Sequence, residues 1–264
     1  MPTPATGGEP ANYFARLSAL TLSSSTQLLR PVSHPQSIEA ARKLQRHALL
    51  LVALGAVAVV ALMFGFDAYE ISLMPPRGAP GLWPVRILTD FGKAANVLWS
   101  VVGLLLVVVL VAPRLRGTSR SRLLRFGTKL QFIFLAVLLP IVAGELIKWV
   151  VGRGRPFVGG EANAFNFSHF AATQAYASFP SAHAITAAAL AFAVSAVWPR
   201  ARGVMIVYAL LVIASRLVLL AHHPSDVTAG AVIGVVGAMA VRYWFAARRL
   251  GFDIAQDGTI TPPI

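Results

Sequence analysis

The sequence predicts an all-α, polytopic integral membrane protein with six transmembrane helices. Of its 264 residues, 56% are hydrophobic and only 12% are charged, whereas a soluble domain carries about 25% charged residues. Six apolar runs follow one another along the chain, and basic residues concentrate in alternate loops between them. This composition excludes a soluble globular enzyme and a disordered chain. The absence of cysteine excludes disulfides, a thiol nucleophile and a Cys-ligated metal site.

The polar segment before the first apolar run is predicted to be a cytoplasmic tail, with one short amphipathic helix between Ala11 and Leu29. The segment is too long and too polar for the n-region of a cleaved signal peptide, so we expect the first apolar run to be a retained signal anchor. The predicted organisation is a tail over 1–46, a membrane domain over 47–247 and a second cytoplasmic tail over 248–264.

The apolar runs have lengths typical of membrane helices. A helix needs about 20 residues to cross ~30 Å of hydrocarbon. The first three runs and the fifth meet that requirement, and the fourth and sixth do so only if their polar first turns extend into the headgroups. The six runs are Ala48–Phe66, Ala94–Ala112, Leu130–Val151, His183–Trp198, Gly203–Ala221 and Val227–Val241.

The loop charges predict the orientation of these helices. The N-terminal tail, the second and fourth loops and the C-terminus are rich in Arg and Lys, whereas the first loop is nearly balanced. Because cytoplasmic loops carry the positive excess, both termini are expected inside the cell. The net charge of +13 is therefore a topology signal, and we expect no nucleic-acid partner. We expect a multi-pass protein of the bacterial inner membrane.

Three polar clusters remain at helix ends, all on the predicted non-cytoplasmic side. Ionisable groups in membrane segments are costly, and their presence there favours a functional site. The clusters are Lys148 with Arg153, Arg155 and Pro156; Pro180-Ser181-Ala182-His183; and Ser215-Arg216 followed by His222-His223-Pro224-Ser225-Asp226.

Ordinary structural roles are open to these residues when each is taken singly. Lys148 lies three residues after Glu145 and could form an ion pair on one helix face. The side chains of Arg153 and Arg155 could extend to the headgroups. Ser181 could serve only as a helix N-cap. Asp226 could serve only as an acid in the first turn of a helix, where it interacts favourably with the helix dipole.

The clusters also have the composition of a phosphate site. Lys148 and Arg155 are seven residues apart, close to two helical turns, so both can face one point. Arg216 adds a third cation, and guanidinium groups suit phosphate oxygens. Ser181 and the backbone N–H groups that open the fourth helix form an anion site. Beside this cradle, one His could attack phosphorus while the other protonates the leaving oxygen. A carboxylate four residues after a His could hold its ring, as Asp226 follows His222.

The three clusters resemble the signature motifs of the type 2 phosphatidic acid phosphatase (PAP2) superfamily. This family includes bacterial membrane lipid phosphatases and the vanadium haloperoxidases. The resemblance covers about residues 48–247 and keeps the order and spacing of the motifs: Lys148-x6-Arg155-Pro156, Pro180-Ser181-Ala182-His183 and Ser215-Arg216-x5-His222-x3-Asp226.

The resemblance implies a PAP2-like helical bundle with His222 as nucleophile, Asp226 as its orienting partner and His183 as general acid. It implies no metal and no other cofactor. One departure is Ala182, where the motif usually has Gly; the backbone N–H is retained provided that the position does not require positive φ. The residues implied in phosphate binding are Lys148, Arg155, Ser181, Ala182 and Arg216.

The expected activity is hydrolysis of a lipid phosphate monoester or pyrophosphate through a phosphohistidine intermediate at the periplasmic face. Within the resembling family, the candidate substrates are lipid A 1-phosphate, undecaprenyl diphosphate, phosphatidylglycerol phosphate and phosphatidic acid. The alternatives are a non-enzymatic lipid or anion transporter and a haloperoxidase-like vanadate-binding protein. The aromatic loop over Phe157–Phe179 is either a lid at the lipid surface or a loop packed on the bundle. The sequence indicates no protein partner.

Overall fold

The computed structural model describes residues 12–160 and 162–262, so Ala11 of the predicted amphipathic helix and the outermost residues of both predicted tails lie outside the described residues. Within these ranges the chain forms nine α-helices and one short antiparallel hairpin, which confirms the all-α fold. The elements are α1 (Tyr13–Leu28), α2 (Ser37–Gly65), α3 (Asp67–Leu73), α4 (Trp83–Asp90), α5 (Ala94–Val111), α6 (Gly117–Val151), α7 (Ala182–Val197), α8 (Arg202–Val218), α9 (Pro224–Ala247), β1 (Asp253–Ile254) and β2 (Ile260–Thr261).

The described residues include five helical segments that are long and apolar enough to cross a membrane, which confirms a polytopic membrane protein. The remaining apolar helix, α7, has 16 residues and is shorter than a typical span, so the count of six crossings stays a prediction. The five segments are Ser37–Gly65, Pro80–Arg114, Gly117–Val151, Pro199–Val218 and Pro224–Ala247.

The first apolar helix begins earlier than its hydrophobic run. Helix α2 starts at Ser37, whereas the run begins at Ala48. The preceding turns are polar and carry an exposed ion pair in which Arg42 Nη1 lies 3.3 Å from Glu39 Oε2. Hydropathy marks only the part of a helix that contacts hydrocarbon. The polar first turns of α2 therefore fall in the predicted tail, before the membrane domain that was predicted to begin at residue 47.

Helix α7 is the core of the bundle and packs against α6, α8 and α9. Its sequence is rich in alanine, and most of its side chains are buried. Small side chains let neighbouring helices approach closely. At Gly234 of α9, a Cβ atom would lie only 2.5 Å from the carbonyl oxygen of Ile185, so this contact requires glycine. Polar groups at the start of α7 are thereby surrounded by three other helices.

The two ends of the bundle differ in charge and in content. At one end, the residues around the start of α2 contact the C-terminal segment: the Ser33 N–H donates to the Ala247 carbonyl at 3.0 Å, and His34 Nε2 lies 2.6 Å from Asp253 Oδ1. The basic tail and the second and fourth loops lie together: the Tyr13 hydroxyl donates to the Leu110 carbonyl before the second loop, and Lys129 after that loop lies over the Trp198 ring at the fourth. The three polar clusters lie at the opposite end, where α6 and α8 finish and α7 and α9 begin.

Candidate active site

The three polar clusters meet at one end of the bundle. The Ser181 N–H donates to the Asp226 carbonyl at 3.1 Å, which joins the start of α7 to the start of α9. Arg155 Nη1 donates to the Ala221 carbonyl at 3.4 Å, which brings the segment after α6 to the residue before His222. Residues from four helix ends therefore lie close together at this end of the bundle.

The loop after α6 is tied to the bundle through its backbone. Gly152 ends α6 with φ +54°, and a Cβ atom there would lie 1.8 Å from the Ser168 carbonyl oxygen, so the position requires glycine. The Ser168 N–H donates to the Gly152 carbonyl at 2.7 Å, and the Ser178 N–H donates to the Arg153 carbonyl at 3.0 Å. These bonds place Arg153 and Ser178 beside the start of α9.

The His222 ring is held in one tautomer by a backbone carbonyl. The ring is buried, and its Nδ1 lies 2.8 Å from the Ser178 carbonyl oxygen. A carbonyl can only accept, so Nδ1 carries the hydrogen and the lone pair lies on Nε2. Burial, together with the charges of Arg216 and Arg155, lowers the pKa of His222 well below 6.5. The ring is therefore neutral at neutral pH, with Nε2 available to attack phosphorus.

Asp226 does not hold the His222 ring directly, in contrast to the expected contact between residues four apart. The distance from His222 Nδ1 to Asp226 Oδ2 is 3.9 Å, beyond a hydrogen bond. Asp226 Oδ2 instead accepts from the Ser178 hydroxyl at 2.6 Å and from the His223 N–H at 2.8 Å. Ser178 thus stands between the two residues: its carbonyl binds His222 and its hydroxyl binds Asp226. Asp226 is therefore linked to the His222 ring only through Ser178.

His183 has one ring nitrogen without a hydrogen-bond partner among the described residues. It occupies the first turn of α7, and its buried Nε2 has no hydrogen-bond partner among the described residues. The segment between α4 and α5 packs on this ring, since a Cβ atom at Gly92 would lie 3.4 Å from His183 Cδ2. An unpaired nitrogen at this place is free to bind an oxygen of a substrate.

The predicted cations lie around the two histidines. Arg216 is buried near the end of α8, and its Nη1 donates to Thr89 Oγ1 at 2.7 Å. Arg155 Nε donates to the Gln174 carbonyl at 2.9 Å. Lys148 forms the ion pair with Glu145 that its spacing allowed. The charges of Arg216, Arg155 and Lys148, and also that of Lys93, act on the His183 ring, which places the three predicted cations near this histidine.

Ser181 and Ala182 open α7 next to these cations. Ser181 is the N-cap, and the Ala184 N–H donates to its Oγ at 3.5 Å, so its expected capping role is present. Ala182 is the first residue of the helix and is not among the residues with positive φ. The alanine therefore fits without backbone strain in place of the glycine usual in the motif. Free N–H groups in the first turn of a helix attract anions.

Arg153 does not extend to the headgroups, in contrast to one of the roles considered above. Its side chain is 1% exposed, and Nη1 and Nη2 donate to Asp226 Oδ1 at 2.6 Å and Asp67 Oδ2 at 2.8 Å. Asp67 lies at the start of α3 and was not predicted as part of the site. Its only sequence signal is that an acid directly follows an apolar run at the end of the chain's first span.

Exposed aromatic side chains cover the loop between α6 and α7. The Phe165 ring lies 5.0 Å from Phe64, and the Phe170 ring lies 5.0 Å from Trp149, between centroids. The backbone of this loop is tied to the bundle, as expected for a loop packed on it. Several of its phenylalanine rings stay exposed, as expected for a lid at the lipid surface. The loop thus carries features of both.

The charged residues form no evident metal site. In the two described ranges, no three His, Asp or Glu side chains group in a way that could hold a metal ion. The cations and histidines that converge here suit the oxygens of a phosphate dianion.

Comparison with known proteins identifies relatives over most of the chain. Residues 129–250 match the model of the PAP2 superfamily. The chain is 31% identical over 217 residues to a lipid A 1-phosphatase of Rhizobium johnstonii, covering 81% of this chain and 87% of the relative. It is 30% identical over 225 residues to a lipid A 1-phosphatase of Rhizobium etli, covering 81% of this chain and 91% of the relative. No solved structure shows a significant match.

Proposed function

Because this chain belongs to the PAP2 superfamily and is a membrane lipid phosphatase, we propose that it removes the 1-phosphate from lipid A through a phosphohistidine intermediate formed on His222. The observation that carries the intermediate is the 2.8 Å contact between His222 Nδ1 and the Ser178 carbonyl. This contact leaves the lone pair on Nε2. The names of both relatives supply the substrate class.

In the first step, the phosphate enters the cradle formed by the cations and the start of α7. Arg155 and Arg216 bind phosphate oxygens through their guanidinium groups, and Lys148 adds a third positive charge. The Ser181 hydroxyl and the N–H of Ala182 bind from the helix start. These fixed donors match the charge on the equatorial oxygens in the transition state and lower the barrier by electrostatic stabilisation.

Phosphoryl transfer then takes place between the two histidines. His222 Nε2 attacks phosphorus, the bond from phosphorus to the lipid oxygen breaks, and His183 gives that oxygen its proton. In the second half, His183 takes a proton from water as the water oxygen attacks the phosphohistidine. The bond between nitrogen and phosphorus breaks, and inorganic phosphate leaves with both histidines restored. No step requires a metal or another cofactor.

The proposed site faces the periplasm, with both tails in the cytoplasm of a bacterial inner membrane. The structure supports this orientation because the site and the basic segments lie at opposite ends of the bundle, and basic segments are retained inside the cell. A lipid in the outer leaflet would present its headgroup at the height of the site. Its acyl chains would lie beside the exposed aromatic rings of the loop after α6.

Phosphate release by the purified protein tests the proposal. The substrates are lipid A with and without its 1-phosphate, undecaprenyl diphosphate, phosphatidylglycerol phosphate and phosphatidic acid, each with a chelator present. We expect release from lipid A 1-phosphate and none from the matched lipid that lacks this group. His222→Ala, prepared in parallel, should release none. Efficient release from another lipid with none from lipid A 1-phosphate would refute the substrate, and flux of lipid without phosphate release would indicate a transporter.

A further inference from the structure

A buried ion cluster lies behind the nucleophile and takes no part in the steps above. Arg153, Asp67 and Asp226 are each at most 1% exposed. Arg153 donates from Nη2 to Asp67 Oδ2 at 2.8 Å and from Nη1 to Asp226 Oδ1 at 2.6 Å. Two carboxylates, one from α3 and one from α9, therefore share a single guanidinium group.

Asp67 also binds the first turn of α9. The Ser225 N–H donates to Asp67 Oδ1 at 3.0 Å, and the Ser225 hydroxyl donates to Asp67 Oδ2. The same hydroxyl oxygen accepts from Arg153 Nη1 at 2.6 Å. Ser225 is the second residue of α9 and lies three residues after His222. Asp67 therefore fixes the backbone next to the nucleophile.

An unbroken chain of hydrogen bonds leads from this cluster to the His222 ring. Asp67 binds Arg153, Arg153 binds Asp226, the Ser178 hydroxyl donates to Asp226, and His222 Nδ1 donates to the Ser178 carbonyl. Every bond in the chain is between 2.6 and 2.8 Å. A change at Asp67 can thus displace the nucleophile although Asp67 contacts no substrate.

We propose that Asp67 is a positioning residue for phosphoryl transfer, which holds His222 in line with phosphorus by sharing Arg153 with Asp226 and by binding Ser225. This inference rests on the proposed phosphoryl transfer to His222. Burying an ion pair gives little net stability, because desolvation offsets the attraction between the charges. Orientation of the first turn of α9 is the role that the geometry supports.

Glu70 provides a matched control one turn further along α3. Its side chain is 1% exposed, like that of Asp67, but both of its carboxylate oxygens lack a hydrogen-bond partner within the described residues. Glu70→Gln and Asp67→Asn each remove one buried carboxylate from the same short helix. Only Asp67→Asn weakens the chain to His222, because the amide NH₂ group must then face either the Arg153 and Ser225 side-chain donors or the Ser225 N–H.

The first measurement is steady-state hydrolysis of a soluble aryl phosphate and of the lipid substrate by the full-length protein. A misplacement of about 1 Å can lower a rate about 10²-fold. We expect Asp67→Asn to lower kcat by about that factor with KM unchanged, since the cradle cations are not altered. Glu70→Gln should keep the kcat of the wild type.

The second measurement separates placement of His222 from turnover. Inorganic phosphate is held by the cradle alone, whereas orthovanadate can also form a bond to a histidine nitrogen in a five-coordinate arrangement. We expect Asp67→Asn to lose vanadate affinity and to keep phosphate affinity. Ser225→Ala removes the shared hydroxyl without changing a charge, so it remains testable if Asp67→Asn does not fold. Ser225→Ala should also keep phosphate affinity and lose vanadate affinity, with a smaller loss of vanadate affinity than Asp67→Asn.

These outcomes distinguish the inference from the proposed function. A wild-type protein that releases no phosphate from any ester contradicts the proposed function, and the vanadate measurement still tests the position of His222. Folded Asp67→Asn with the kcat and vanadate affinity of Glu70→Gln would overturn the positioning role. Equal losses of phosphate and vanadate affinity would also overturn it, because they would show a general disturbance of the site.

Discussion

The carbonyl oxygen of Ser178 lies 2.8 Å from His222 Nδ1, and the hydroxyl of the same serine lies 2.6 Å from Asp226 Oδ2. One residue therefore joins His222 to the carboxylate that sequence spacing had paired with it directly. The backbone carbonyl selects the ring tautomer, and the hydroxyl fixes that carbonyl relative to α9. This arrangement divides the orienting role between a backbone group and a side chain.

Ser178→Ala separates these two contributions. The variant keeps the carbonyl and loses the hydroxyl bond to Asp226, and a hydrogen bond to a charged group contributes about 1.5–3 kcal/mol. We expect kcat to fall about tenfold or more, as measured on an aryl phosphate. Ser195→Ala is the matched control, because the Ser195 hydroxyl binds the Ala191 carbonyl within α7 at 2.6 Å, away from the site. Equal activity of the two variants would contradict the role of the hydroxyl.

Thr89→Val tests the support of Arg216. Thr89 Oγ1 accepts from Arg216 Nη1 at 2.7 Å, and valine keeps the shape of the side chain without the acceptor. A guanidinium group that is free to turn binds phosphate less well, so kcat/KM should fall about tenfold and inhibition by inorganic phosphate should weaken. Thr89→Ser keeps the hydroxyl and should retain the phosphate affinity of the wild type. Loss of the same size in both variants would show that packing at α4, rather than the hydrogen bond, supports Arg216.

Glu70→Gln should change stability in a direction that depends on pH. Burial and the charges of Asp67 and Asp226 raise the pKa of Glu70 from 4.5 to about 7. The unfolded chain therefore loses this proton at lower pH than the folded protein, and the folded protein loses stability as pH rises between these two values. At pH 8 the glutamine variant should unfold at a temperature higher by about 2–4 °C for each kcal/mol gained. At pH 4.5, where the folded protein keeps Glu70 protonated, the two melting temperatures should agree, and a gain of equal size at both pH values would contradict the assignment.

Single cysteines in this cysteine-free chain test the orientation. Ala162→Cys lies in the loop after α6 near the site, and Ser121→Cys lies in the first turns of α6 among basic residues, and both positions are exposed. An impermeant thiol reagent should label Ala162→Cys on intact cells and Ser121→Cys only after the inner membrane is opened. The reverse pattern would place the site in the cytoplasm.

The sequence was sufficient to predict the apolar part of each long helix and the order of the motifs along the chain, but not the short helices α3 and α4. Lys148, Arg155, His183 and Arg216 lie near helix ends whose order along the chain already assigns them to one end of a bundle. They converge because successive membrane helices alternate in direction, so the order of the apolar runs shows which helix ends lie on the same side of the membrane. The start of α2 at Ser37 was not predictable in this way, because its first turns are polar.

The residues missed by the sequence analysis are those whose partners are distant in the chain. Asp67 binds Ser225 across 158 positions, and Thr89 binds Arg216 across 127. Both acceptors belong to a first loop whose acids and bases are nearly balanced, and balanced charge indicates an ordinary surface loop. Ser178 acts partly through a backbone carbonyl, and side-chain chemistry in a sequence carries no information on which carbonyl will face a histidine.

Trapping of the phosphoryl group during turnover shows whether His222 carries it. His183→Ala lacks the proposed general acid. Loss of a general acid lowers the rate about 10²–10⁴-fold for a poor leaving group and much less for an activated aryl phosphate. An alkaline quench during turnover of the aryl ester, followed by peptide mass spectrometry, should find phosphate on the ring of His222, and His222→Ala should show neither the adduct nor turnover. Phosphate on another residue, or turnover of the aryl ester by His222→Ala while His183→Ala is inactive, would contradict the assignment.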